Sequence, residues 1–123
     1  MKKENTALMI LVAGPYRSGT GDDPIAIQKN VDAMNEAALA LYRKGHLPVL
    51  GEWFALPLIE TAGSEEMGDD IWNELFHPVA MRLIDKCDVV LRIGGDSKGA
   101  DEMVKIGKEK GKRIVHSIED VPL

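Results

Sequence analysis

The chain has 123 residues, enough to bury one core without staples or metal, so a single domain over residues 1–123 is expected. Its 45% hydrophobic and 28% charged residues are ordinary for a globular protein. The net charge of −5, with no basic cluster, argues against a polymeric nucleic-acid partner or a membrane surface. The lone cysteine, Cys87, rules out an internal disulfide and a paired-cysteine zinc site, and is expected to be a reduced thiol in the cytoplasm.

Lys2 and Lys3 precede an apolar run from Ala7 to Ala13, but Glu4 interrupts the positive flank and Gly-Pro-Tyr-Arg follows where a cleavage site would stand. A first buried parallel strand is the expected reading, and no run reaches transmembrane length. A polar, glycine-rich loop, residues 14–21, comes next. Asp22 or Asp23 then caps a helix with Pro24 in its first turn. Ile27, Val31, Met34, Ala38 and Leu41 form one apolar stripe along it as far as about Lys44, and Gly45 stops it. A second strand over 47–50 exits through Gly51-Glu52-Trp53, and a short helix over 54–60 is limited by Pro57. After a polar loop, Asp69 or Asp70 caps a helix carrying Ile71, Trp72, Leu75 and Phe76, which Pro78 kinks or divides before Val79–Lys86.

A third strand, Val89–Ile93, runs into the turn Gly94-Gly95-Asp96-Ser97-Lys98-Gly99 and a helix from about Ala100 to Lys110, ended by Gly111. Arg113–His116 is a fourth strand, and residues 118–123 are too short to assign. Strands alternating with helices predict a three-layer α/β fold with right-handed crossovers. The expected sheet is mostly parallel, with four or five strands in order 2-1-3-4 and helices on both faces, as in flavodoxin- and Rossmann-like folds. That order sets the ends of the first and third strands side by side at the switch point, where such sheets bind ligands. The Gly14 loop and the Asp96–Glu102 turn should form one site.

The first loop matches neither the dinucleotide fingerprint nor a P-loop, and Asp22 and Asp23 would repel a phosphate at the helix start. Arg17 remains able to hold a phosphate from the loop, and Tyr16 offers a face for a heterocycle. Glu102 lies one turn into a helix, which by itself is ordinary dipole compensation. With Asp96 close by, it also fits a carboxylate pair that divides nucleophile and proton-carrier roles, as in retaining glycoside cleavage. His46, His77 and His116 have no ligand spacing, so no metal is expected. Serine or cysteine hydrolase motifs are missing too.

Three features in order resemble the nucleoside 2-deoxyribosyltransferase-like superfamily. They are Val12-Ala13-Gly14-Pro15-Tyr16, Cys87-Asp88-Val89-Val90, and Asp96-x-x-Gly99-Ala100-x-Glu102. The resemblance spans the domain and implies cleavage or transfer at the N-glycosidic bond of a nucleoside or nucleoside 5′-monophosphate. It makes Glu102 the nucleophile and Asp96 a sugar contact. The loop Gly14–Gly19 is similar to that of the branch hydrolysing deoxynucleoside 5′-monophosphates, with Arg17 on the phosphate. Gly14, Tyr16, Arg17, Glu52, Ser97 and Gly99 are the expected substrate-binding set. No cofactor is expected, and the family implies a homo-oligomer. Large apolar groups near the site, Trp53, Trp72 and Phe76, fit association or core packing equally.

Two positions depart from the family pattern. Ala80 stands where the family has an aspartate assisting departure of the base, with Glu52, Asp101 or Asp96 as candidate substitutes. The family's C-terminal residue that reaches a neighbouring subunit is not recognisable in residues 118–123. A non-catalytic nucleotide-binding module is therefore the alternative. Gly94-Gly95 with Gly99-Ala100-x-Glu102 is also similar to the signature of phosphoribohydrolases of the lysine-decarboxylase-like type.

Overall fold

Apolar runs alternating with capped amphipathic helices leave few ways to bury the chain, and the structure takes the expected one. The computed structural model describes residues 7–121. Lys2, Lys3 and Glu4, and the last two residues of the tail, lie outside the described residues. Four strands, β1 (Met9–Ala13), β2 (Leu47–Val49), β3 (Val89–Arg92) and β4 (Arg113–Val115), form one sheet in order β2-β1-β3-β4. All three pairings are parallel. The helices are α1 (Pro24–Arg43), α2 (Gly51–Thr61), α3 (Asp70–Lys86) and α4 (Lys98–Glu109), followed by a 3-10 turn at Ile118–Asp120. No helix among the described residues is long and apolar enough to cross a membrane.

Side-chain alternation divides β1 between two cores. Ile10 and Val12 pack with Met34, Ala38 and Leu41 of α1, while Leu11 and Ala13 pack with Leu83, Ile84, Ala100 and Met103 of α3 and α4. A third cluster joins Ala55 and Ile59 of α2 to Trp72 of α3. Cys87 belongs to the second core, where burial pushes its thiol up to about 11, so it stays protonated and unreactive.

Two helix starts differ from expectation, and one of the two alternatives left open at Pro78 is removed. The second helix starts at Gly51 instead of Phe54 and runs through Pro57; that proline is exposed, so the hydrogen bond it cannot donate is lost on the solvent side. Pro78 does not divide α3, which is continuous from Asp70 to Lys86. The fourth helix begins two residues early, at Lys98, because Ser97 caps it by accepting from the Ala100 N–H at 3.1 Å.

Asp69 caps α3 and also collects the preceding loop. It accepts from the Trp72 N–H at 2.8 Å, the Glu65 N–H at 2.9 Å and the Ser64 hydroxyl at 2.8 Å. These donors, Trp72 foremost, hold its carboxyl at about 2, well below the ordinary 3.8. A depressed carboxyl stabilises the fold above its unfolded-state pKa and loses that contribution as pH falls through the folded value. Asp69→Ala therefore lowers Tm near neutral pH, and thermal melts should show the gap to wild type closing between about pH 4 and pH 2. A gap independent of pH would contradict the assignment.

Candidate functional site

The carboxyl ends of β1 and β3 meet at the switch point, and backbone contacts fix how their loops leave. The Ile93 N–H bonds the Ala13 carbonyl at 2.9 Å, carrying the pairing one residue past β3. Gly94 then turns with φ +82°, and Pro15 packs directly over it. The loop after β1 is tied down by the Asn30 amide donating to the Tyr16 carbonyl at 2.9 Å and by the Thr20 hydroxyl donating to the Arg17 carbonyl at 2.6 Å.

Between this loop, α2, α3 and the start of α4 lies a cavity of about 210 Å³. Gly14, Tyr16, Arg17, Glu52, Ser97 and Gly99 all line it. One wall is aromatic. Trp72 and Phe76, one turn apart on α3, stack with centroids 4.7 Å apart, and Tyr16 completes the group at 5.5 Å from Phe76 and 6.1 Å from Trp72. Half of the chain's two Tyr, two Phe and two Trp thus converge on one surface. The Arg17 guanidinium lies 5.9 Å from the Trp72 ring centroid.

Opposite in character is Glu52, in the first turn of α2, which lines the same space. Burial raises its carboxyl from 4.5 to about 7, against a small opposing effect of its own backbone N–H. Burial likewise raises the Tyr16 hydroxyl, the Glu52 charge adds to that, and Arg17 works against it. Arg17 does not pair with Glu52. Its Nε and Nη2 donate to both oxygens of Asp22 at 3.0 and 2.8 Å, and that fork holds the Asp22 carboxyl below its ordinary pKa. Asp22 serves Arg17 from a left-handed backbone at φ +60°, leaving the capping of α1 to Asp23.

The carboxylates expected to carry chemistry lie elsewhere. Glu102 is exposed and absent from the lining, whereas Ala100 and Met103 on the same helix are buried and line the cavity. At about 100° per residue Glu102 lies about 160° round the helix from Ala100 and about 100° from Met103, so with both of those inward it faces outward. Asp96 is exposed outside the lining as well. Asp101 is exposed and accepts from Arg92 Nε at 3.1 Å, while Arg92 Nη2 braces the turn by donating to the Gly95 carbonyl at 2.8 Å. Of the four carboxylates considered for chemistry, Glu52 alone lines the cavity, and Glu102 and Asp96, expected to face the crevice, stand exposed outside that lining. Glu102→Ala should leave the melting temperature and any ligand affinity unchanged; a tenfold loss of affinity in a folded variant would return Glu102 to the site.

Ala80 does line the cavity, as do Gly51 and Glu52, and its Cβ is 3.1 Å from where a side chain on Gly51 would begin. Trp72, Asn73, Phe76 and His77 were missed as site residues. Their signal was present, as aromatic and polar groups within two turns of one helix, but the spacing of Trp72 and Phe76 is also that of a core stripe. His77 comes within 3.0 Å of the point where a Cβ on Gly99 would stand, so glycine there permits the close approach of α3 and α4. Among the described residues no three His, Cys, Asp or Glu side chains converge on a metal-sized space. In comparison with known proteins, no family model and no curated protein matches this chain.

Proposed function

We propose that the cavity at the switch point binds a nucleoside or nucleotide, with the heterocycle against the Tyr16–Trp72–Phe76 wall. The observation that carries this reading is the stacked wall sharing a space of about 210 Å³ with a single half-buried carboxyl. Aromatic faces accept any planar base, and a few polar groups around them set its orientation. The sugar then extends toward Ser97, Gly99 and the helix start, and Arg17 is within the lining for a 5′-phosphate if it exchanges Asp22 for the ligand. Calorimetry with nucleosides and their monophosphates tests the reading. Saturable binding that Trp72→Leu weakens supports it, and no heat with any common base counts against it.

Base release is the second reading, and one observation favours it. A Glu52 carboxyl near pKa 7 can give its proton to a departing base. Water, not Glu102, would then attack the anomeric carbon; the glycosidic bond breaks to the base nitrogen, and the water's proton restores Glu52. Chromatography of free base after incubation separates binding from cleavage. The same reading places the protein in the cytoplasm, where nucleotides are abundant, with its one cysteine reduced. It also includes self-association, supported by Trp53, Phe54 and Leu58 exposed together on α2. Light scattering after size exclusion measures that directly.

A further inference from the structure

Among the described residues Glu52 is the only acidic one lining the cavity, and none of their salt bridges joins it to a cation. Arg17, the guanidinium in the same lining, is engaged by Asp22. The other titratable groups facing this space are Tyr16, from the loop after β1, and His77, from α3. From α4 come Ser97, just before it, and Gly99, Ala100 and Met103, none of them charged. A carboxyl in such surroundings is favoured in its neutral form, which places an O–H donor and a C=O acceptor side by side.

We infer that Glu52 selects a heterocycle carrying an exocyclic amine beside an unprotonated ring nitrogen, the edge of an adenine- or cytosine-type base. This rests on the nucleoside reading above and names the base class within it. The amine donates to the Glu52 carbonyl, and the ring nitrogen accepts the Glu52 proton. The oxo counterparts, hypoxanthine and uracil, carry a carbonyl in place of the amine and an N–H donor in place of that nitrogen, so the Glu52 O–H meets only a weaker oxygen acceptor. A ring nitrogen has the greater basicity, so the proton is shared and the bond gains charge assistance. The raised Glu52 carboxyl agrees with this, since it keeps the proton available up to about pH 7. Above that, binding must take up one proton, and affinity falls by about tenfold per pH unit.

Calorimetry with adenosine, inosine, cytidine and uridine, at pH 6 and pH 8.5, tests the inference on the wild-type chain, Glu52→Gln and Glu52→Ala. The wild type should bind adenosine and cytidine about tenfold tighter than their oxo partners at pH 6, the difference between a charge-assisted and a neutral hydrogen bond. It should weaken at pH 8.5 and take up close to one proton there. Gln also sets a donor beside an acceptor but has no acidic proton to share, so Glu52→Gln should bind all four nucleosides with the amino preference largely lost and a flat pH profile, while Glu52→Ala loses the edge contacts and keeps the stacking. Equal binding of all four nucleosides by the wild type, or a pH dependence that survives Glu52→Gln and so belongs to His77, overturns the inference and leaves the nucleoside reading intact. If none of the four binds, both fall.

Discussion

Glu52→Gln stabilises the protein at alkaline pH. The wild-type carboxyl titrates at about 7 in the fold, against 4.5 ordinarily, because burial disfavours its charged form. A group whose folded pKa is raised binds its proton more tightly in the fold. Its contribution is complete below about pH 4.5 and is lost as pH rises through 7. That interval, at about 1.36 kcal/mol per pH unit, sets an upper bound of roughly 3 kcal/mol for burying the carboxylate. Gln has the same shape and never ionises, so at pH 8.5 the variant should melt several degrees above wild type. At pH 4 the two should melt together. Thermal melts across that range check it, and equal curves at pH 8.5 would mean that Glu52 reaches water when charged.

Gly94→Ala has the opposite effect and acts at the geometry that joins the two loops. Gly94 has φ +82°, and a Cβ there would stand 2.5 Å from Pro15 Cδ. The left-handed backbone costs an alanine about 1–2 kcal/mol, and forcing a methyl against a proline ring adds about 1–3 kcal/mol. Chemical denaturation should give a loss of roughly 3 kcal/mol. Relief of the overlap moves Pro15 and with it Tyr16 and Arg17, so ligand affinity should fall as well. Gly95→Ala is the control, because Gly95 has open space around it and should tolerate the methyl within experimental error.

The layered fold was legible because its signals agree with one another. Continuous apolar runs mark strands buried on both faces, and Asp23, Gly45, Asp69 and Gly111 mark where helices begin or stop. Pro57 does not limit α2, since proline breaks a helix only where the missing hydrogen bond matters and here it falls on an exposed face, while of the two alternatives at Pro78 the division of α3 is excluded. The loop half of the site was legible too, because strand order alone places Gly14, Tyr16, Arg17, Ser97 and Gly99 together.

The carboxylates were harder, for two physical reasons. A first-turn glutamate such as Glu52 ordinarily compensates the helix dipole, and its burial comes from α3 packing across α2, a long-range contact. Glu102 is a question of helical phase. The buried positions Ala100, Met103, Ile106 and Gly107 put one residue type after another on the inner face, and Glu102 falls between them on the outer one. That pattern was in the sequence.

The proposed function puts ligand chemistry in the cavity around Glu52 and Trp72 and not on the surface around Glu102. The most direct test is to titrate the isotopically labelled protein with adenosine and follow its backbone amide resonances. Shifts should concentrate at residues 14–18, 51–53, 72–77 and 97–100, the cavity rim. Shifts centred instead on Glu102, Lys105 and Glu109, with the Trp72 and Glu52 amides unmoved, would contradict it.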